Sequence, residues 1–224
     1  MSLLKSDLMS HFMDTFSETR LRTTKTILFV LLCLPLAAMI FDAFGGRLVE
    51  PVEELTHRSG EWALRILLLT LAVSPVVKLT GWRKLVRLRR LLGLFSFAYM
   101  CVHFFVYLAL DQGFYWTDIL RDLTERPYII AGLSCLLLCL PLAITSTNGW
   151  MKRLGGRNWK RLHKLVYFAS IAAVLHFFWL IKADMTEPLI YGLILSLLLL
   201  SRMRGHFLAS GFRHRLPRVF ATLG

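Results

Sequence analysis

Two histidines lie deep inside apolar stretches of this chain. His103 is the only histidine, acid or strong base in LLGLFSFAYMCVHFFVYLAL, and His176 lies near the end of LVYFASIAAVLHFFW. Counted at 1.5 Å per helical residue, each lies about 16–18 Å from the same edge of its apolar stretch. Because a buried imidazole needs partners for its nitrogens, ionisable residues at such positions in a membrane indicate a functional site.

A shared metal is the simplest partner for two histidines at one depth. Haem supplies four equatorial nitrogens and an apolar ring, and it leaves two axial positions for protein ligands. The matched depth therefore predicts a haem held between His103 and His176 as a bis-histidine site. We expect its ring to contact the neighbouring aromatic side chains, which are Phe104, Phe105, Tyr107, Phe177 and Phe178.

A second cofactor level is predicted at His163, nearer the basic edge of the same stretch. The 13 residues from His163 to His176 turn a straight helix by about 220°, so the two share a face only if the helix bends. On the other helix, Arg89 stands within about 40° of the face of His103. We expect His163 to bind or contact a second haem or a flavin, with Arg89 and Arg90 as cofactor-binding residues for a propionate or phosphate.

Other roles for the buried histidines stay open on the residues alone. They would also serve as structural groups or as a proton relay in a small transporter or proton channel. Proton pathways usually contain several carboxylates, whereas only Asp42 lies near the end of an apolar run. His57 is a candidate for quinone contact or electron exit, and Arg65 for propionate binding or for reaching the membrane surface. A haem-bearing scaffold without electron flow is a further alternative.

The composition is that of a membrane protein. Of the 224 residues, 56% are hydrophobic and 18% are charged, and the mean hydropathy is +0.57. Six apolar runs approach the roughly 20 residues that a helix needs to cross a bilayer, although the second and sixth are short. We therefore predict an all-α bundle of six transmembrane helices, with Ser59 as an N-cap before the second run. The runs are 26–44, 62–77, 91–110, 128–145, 165–181 and 188–201.

The net charge of +13 is distributed for membrane topology rather than for binding nucleic acid. Most basic residues fall in the two end segments and in the second and fourth loops, and most acids fall in the alternate loops. Lys and Arg are enriched on the cytoplasmic side, so both termini are predicted to be cytoplasmic. We expect a cytoplasmic tail at 1–25 without a cleavable signal, a haem-binding membrane domain at 26–203 and a cytoplasmic tail at 204–224.

Four motifs resemble those of the ferric-reductase-like transmembrane family over about residues 47–205. They are RLRRLLGLFSFAYMCVHFFVYL, WKRLHKLVYFASIAAVLHFFW, HRSGEWALR and ERPYIIAGL. The resemblance implies a b-type cytochrome of the bacterial inner membrane, with one or two haems and with histidine ligands at His103, His163 and His176. Larger members hold two haems by four histidines, and the arginine at the fourth position here departs from that pattern.

The resemblance also implies partners for electron transfer. Members of the family are described with FMN, and a cytoplasmic flavin reductase or the quinone pool is the implied donor. The implied acceptor is a periplasmic, molybdopterin-containing methionine sulfoxide reductase. Larger relatives append a flavin and nicotinamide domain, whereas this sequence has no glycine-rich phosphate loop. We therefore expect an electron-transfer subunit without catalytic residues of its own.

Overall fold

The structure is a computed structural model that describes residues 2–181 and 184–213, with side chains over 19–181 and 184–202. Helices make up nearly all of this part of the chain. A 3-10 turn, Arg83–Leu88, leads into the third α-helix, and a π-helical turn, Tyr107–Asp111, extends that helix. The α-helices are α1 (Ser2–Phe44), α2 (Pro51–Thr80), α3 (Arg89–Val106), α4 (Trp116–Glu125), α5 (Pro127–Ile144), α6 (Asn148–Leu162), α7 (Leu165–Leu180) and α8 (Thr186–Arg213).

The predicted all-α membrane class is confirmed, and the predicted number of spans is confirmed only in part. A fifth span exists if α6 and α7, which meet at a bend of 44°, act as one broken span. The sixth predicted run lies in α8, whose side chains are described only to residue 202. Among the described residues, four helices are long and apolar enough to cross a membrane, namely Thr19–Phe44, Pro51–Thr80, Arg83–Asp111 and Pro127–Ile144.

The segments predicted as tails are partly helical. α1 begins at Ser2 and continues through the segment predicted as the tail at 1–25. α8 extends to Arg213, inside the second predicted tail, and residues 214–224 lie outside the described residues. The boundaries of the membrane domain therefore remain predictions.

The predicted helix start at Ser59 is wrong. α2 begins at Pro51, whose missing N–H costs nothing in the first turn of a helix. Ser59 lies two turns further on, is fully buried, and donates its hydroxyl to the carbonyl of Leu55 at 2.6 Å. A serine can bond to the preceding turn as readily as it can cap a helix, and here the first alternative holds.

The core is formed by two closely packed helix pairs, α2 with α3 and α5 with α7. In the first pair, the buried hydroxyl of Ser96 donates to the carbonyl of Ala63 at 2.9 Å. Small residues at this contact let the two backbones approach closely, as is usual between transmembrane helices. Ile66 of α2 and Ala169 of α7 are both fully buried in the apolar core. These two pairs fix the positions of the histidines described below.

Tyr99 attaches α1 to this core. Its hydroxyl accepts the N–H of Leu36 at 3.0 Å and donates to the carbonyl of Leu32 at 2.8 Å. In an uninterrupted helix those two groups would bond to each other, so the hydroxyl is inserted into the helical ladder. Pro35 lies beside the insertion and lacks an N–H of its own. The tyrosine is only 2% exposed, so the hydroxyl is the partner that these backbone groups have inside the protein.

We predict that Tyr99→Phe lowers the free energy of unfolding by about 1–3 kcal/mol, because it removes both hydrogen bonds that join the tyrosine hydroxyl to α1. Denaturant unfolding of the purified protein in detergent measures the difference. Tyr115→Phe is the control, since Tyr115 is 68% exposed. Equal stability of the two variants would contradict the prediction.

Candidate functional site

His103 of α3 and His176 of α7 face each other in the middle of the bundle. Their ring centroids are 6.0 Å apart, and the ring planes lie at 80° to each other. The structure thus brings together the two residues that share one depth in the sequence. Neither helix pair of the core could form this arrangement alone, because each pair contributes one histidine.

Main-chain hydrogen bonds fix both rings. Nδ1 of His103 lies 2.9 Å from the carbonyl oxygen of Thr56 in α2, and Nδ1 of His176 lies 2.6 Å from that of Tyr128 in α5. A carbonyl only accepts, so each Nδ1 carries the proton and each Nε2 of a neutral ring is left with a lone pair. Among the described residues, no hydrogen bond reaches either Nε2 atom. Histidines that bind metals are typically held in this way.

The donor set fits a haem. Two imidazoles bound to one metal from opposite sides have ring centres roughly 6 Å apart, because each nitrogen lies roughly 2 Å from the metal and about 1 Å from its own ring centre. The observed 6.0 Å matches that separation. Two histidines are too few for a tetrahedral zinc site, but they equal the two axial positions of a haem.

The histidines open onto an apolar cavity of about 260 Å³. Phe104, Tyr107 and Phe177, three of the aromatic residues predicted to contact a haem, line it. Phe105 and Phe178 do not line it and are exposed on the outside of the bundle. Successive residues of a helix point about 100° apart, so adjacent aromatic residues cannot all face one cavity.

One end of the cavity carries polar and charged groups. The buried carboxylate of Asp122 accepts hydrogen bonds from the Tyr107 hydroxyl and the Gln112 amide, both at 3.2 Å. It also pairs with the guanidinium of Arg126 at 3.2 Å, and Arg126 lines the cavity. His57 lines the same end. This end therefore has a positive group, Arg126, beside a buried carboxylate, Asp122, that accepts hydrogen bonds from two side chains.

Two residues considered in the sequence have partners of their own. The guanidinium of Arg65 binds the Tyr191 hydroxyl and the Glu61 carboxylate, each at 2.8 Å. Asp42, the carboxylate considered for a proton pathway, pairs with Arg58 at 2.9 Å. Both side chains therefore stabilise contacts between helices.

His163 and Arg89 form a separate cluster at the break between α6 and α7. The imidazole stacks on Trp159 with 3.8 Å between ring centroids, and its Nδ1 lies 3.0 Å from the Trp159 carbonyl oxygen. Nε2 of His163 and Nε of Arg89 are both buried without a hydrogen-bond partner in the described structure. A second guanidinium, that of Arg202, lies close enough to repel Arg89.

This cluster differs from the facing pair of histidines. It offers one free imidazole nitrogen and two cationic groups, which suits one axial ligand or an anionic group of a cofactor. The sequence allowed His163 and His176 to share a face only if the helix bends between them. The chain does break there, because α6 ends just before His163 and α7 begins at Leu165. Arg90 points elsewhere and donates to the Asn148 side chain at 2.9 Å in an exposed position.

Comparison with known proteins gives the family. The sequence profile described as "Ferric reductase like transmembrane component" matches residues 59–174 of this chain. The chain belongs to the ferric reductase-like transmembrane family. It has several helices apolar enough to cross a membrane, and it is accordingly a multi-pass membrane protein.

Several bacterial relatives are named "Protein-methionine-sulfoxide reductase heme-binding subunit MsrQ". The protein of Xanthomonas campestris pv. campestris (strain B100) is 53% identical over 158 residues, which are 70% of this chain and 71% of the relative. That of Xanthomonas axonopodis pv. citri (strain 306) is 52% identical over the same length and shares. That of Herminiimonas arsenicoxydans is 42% identical over 190 residues, 84% of this chain and 87% of the relative.

Sequence reasoning missed the partners of the histidines in this member of the ferric reductase-like transmembrane family. Thr56 and Tyr128 act through main-chain carbonyls, which every residue has, so no residue type indicates them. Asp122 is buried although it lies between two of the predicted apolar runs, where an exposed loop is expected. The position of Asp122 within the amphipathic helix α4 was the available signal, since Ile119 and Asp122 lie three residues apart on one helical face.

Proposed function

We propose that this chain is the b-type cytochrome subunit of a bacterial methionine sulfoxide reductase system. It carries electrons across the inner membrane to a periplasmic molybdopterin-containing reductase, which repairs oxidised methionine in periplasmic proteins. The donor is a cytoplasmic flavin reductase or the quinone pool. The single observation that supports this proposal most is the pair of facing imidazoles, each with Nδ1 bonded and Nε2 free. The names of the relatives support the partner system.

In this proposal, Nε2 of His103 and Nε2 of His176 would hold haem b. Haem supplies reversible one-electron chemistry when bound. The carbonyls of Thr56 and Tyr128 hold the two imidazoles in the tautomer that can bind iron and raise their basicity. The apolar cavity excludes water, and Arg126 provides a positive group for a propionate at its polar end.

His163 and Arg89 mark the side at which electrons arrive. We assign His163 as the ligand or neighbour of a second, more exposed haem or of FMN, and Arg89 as the group that binds its propionate or phosphate. The buried, unpartnered nitrogens of both residues support the assignment. Arg90 contributes positive charge at the same surface while it is bonded to Asn148.

The proposed topology has six spans and cytoplasmic termini. The membrane domain is 26–203, flanked by tails at 1–25 and 204–224. The basic residues around the turn Arg83–Leu88 and in α6 lie on the cytoplasmic side in this arrangement, by the positive-inside bias. The acidic α4 and the polar end of the cavity then lie on the periplasmic side, where the acceptor docks.

Replacing His103 or His176 with alanine is expected to lower the haem bound per protein by more than about tenfold, because even an outer-shell partner of a metal ligand is worth roughly 10–100-fold in affinity. Soret absorbance and haem quantification of the purified full-length variants measure the loss. His57→Ala is the control and should retain most of the haem, since His57 only lines the cavity.

Full Soret intensity in both alanine variants would show that other residues bind the haem. A colourless wild-type protein, purified after expression with ample haem, would instead favour the alternative function of a small transporter or proton channel with histidine relays.

Arg89→Ala is expected to slow haem reduction by reduced flavin severalfold, because it removes the partly buried cation that would receive the anionic group of the donor or second cofactor. Stopped-flow absorbance of the purified protein measures the rate. Arg83→Ala is the matched control, because it removes one charge from an exposed side chain of the same basic segment. Equal rates in the two variants would argue against a specific role for Arg89.

A further inference from the structure

Each of the facing imidazoles lies directly against a glycine of the neighbouring helix. A Cβ atom added to Gly60 of α2 would lie 3.0 Å from Cε1 and 3.1 Å from Nδ1 of His103. A Cβ atom added to Gly132 of α5 would lie 2.8 Å from Nδ1 and 2.9 Å from Cε1 of His176. The contacts at Gly132 are closer than side-chain atoms approach each other, and those at Gly60 are tight enough to displace the neighbouring ring by a few tenths of an ångström, so each ring would have to shift beside an alanine.

The two contacts have the same construction. The carbonyl that receives the Nδ1–H of His103 belongs to Thr56, four residues before Gly60, and the one that receives the Nδ1–H of His176 belongs to Tyr128, four residues before Gly132. Residues four apart lie one above the other on a helix, and a Cβ atom tilts back toward the preceding turn. A side chain at the glycine would therefore cover the carbonyl that the imidazole has to reach.

Glycine within a helix is unfavourable, since alanine is the better helix former. Gly93, in the same helix as His103, shows what a glycine without such a contact looks like, because a Cβ atom there would meet nothing closer than the Thr70 methyl group at 3.8 Å. Gly60 and Gly132 differ from it because a Cβ atom at either position would displace the imidazole that the glycine faces.

We propose that Gly60 and Gly132 are positioning residues for haem binding. Each opens one turn of its helix so that the facing imidazole can donate Nδ1–H to the exposed carbonyl and direct Nε2 into the cavity. This inference rests on the proposed haem-binding function. The repetition of one arrangement on two helices, once for each histidine, is the observation that carries it.

Gly60→Ala, Gly132→Ala and the control Gly93→Ala are tested as full-length proteins purified after expression with ample haem. We expect the first two variants to bind severalfold less haem per protein. In the haem that remains, the displaced ring loses its Nδ1–H bond, so the ligand becomes less basic, the midpoint potential shifts to a more positive value, and the low-spin electron paramagnetic resonance signal changes. Gly93→Ala should match the wild type in all three measurements.

Wild-type haem content, potential and resonance signal in both Gly60→Ala and Gly132→Ala would overturn the inference while leaving the proposed function intact. A wild-type protein that itself binds no haem would remove the proposed function. Size-exclusion chromatography of the same variants expressed without added haem separates positioning from packing. Aggregation of both alanine variants there, with Gly93→Ala monodisperse, would overturn the positioning role in favour of a packing role, and wild-type behaviour there together with haem loss supports it.

Discussion

Each facing imidazole is tied through its Nδ1–H to a main-chain carbonyl of the helix beside it, and the centre of the bundle depends on these two hydrogen bonds. They join α3 to α2 and α7 to α5, the two helix pairs that pack most extensively. A buried imidazole N–H without a partner would be costly in an apolar interior. The bonds are therefore what allows the rings to be buried, and they also determine which nitrogen remains available to a metal.

The same requirement explains the other polar side chains of the core. Within lipid, every backbone polar group needs a partner from the protein itself. Ser96 satisfies this by bonding to the Ala63 carbonyl across the α2 and α3 contact, and Tyr99 satisfies it by replacing a helical hydrogen bond of α1. Polar atoms thus appear where two helices are joined, and the apolar surface between them provides the area of contact.

Residue counting predicted the meeting of His103 and His176 because depth along a helix depends only on the number of residues. It could not predict which helices lie side by side, so the carbonyl partners in α2 and α5 were beyond reach. The local sequence pattern gave a wrong prediction at Ser59, because a serine can either cap a helix or bond to a carbonyl of the preceding turn. The sequence did not predict the break at His163 itself. It showed only that a bend was needed if His163 and His176 were to share a face, because 13 residues of straight helix place them on different faces.

The family and the helical class were predictable because motifs and hydropathy persist along the whole membrane region. The direction in which each side chain points was harder to predict from the sequence. Phe105 and Phe178 adjoin residues that line the cavity yet lie on the exterior, because a step of one residue is enough to change the face.

Each histidine is bonded to a carbonyl within its own helix pair. The two histidines therefore reach their positions at different stages of synthesis. The bond between His103 and Thr56 needs only α2 and α3. The bond between His176 and Tyr128 needs α7, which is made after α4, α5 and α6. In the proposed haem site, α2 and α3 alone would provide one of the two imidazole ligands, that of His103. The second ligand, His176, would be in place only when α7 packs on α5, so two-point binding of the prosthetic group would require both helix pairs.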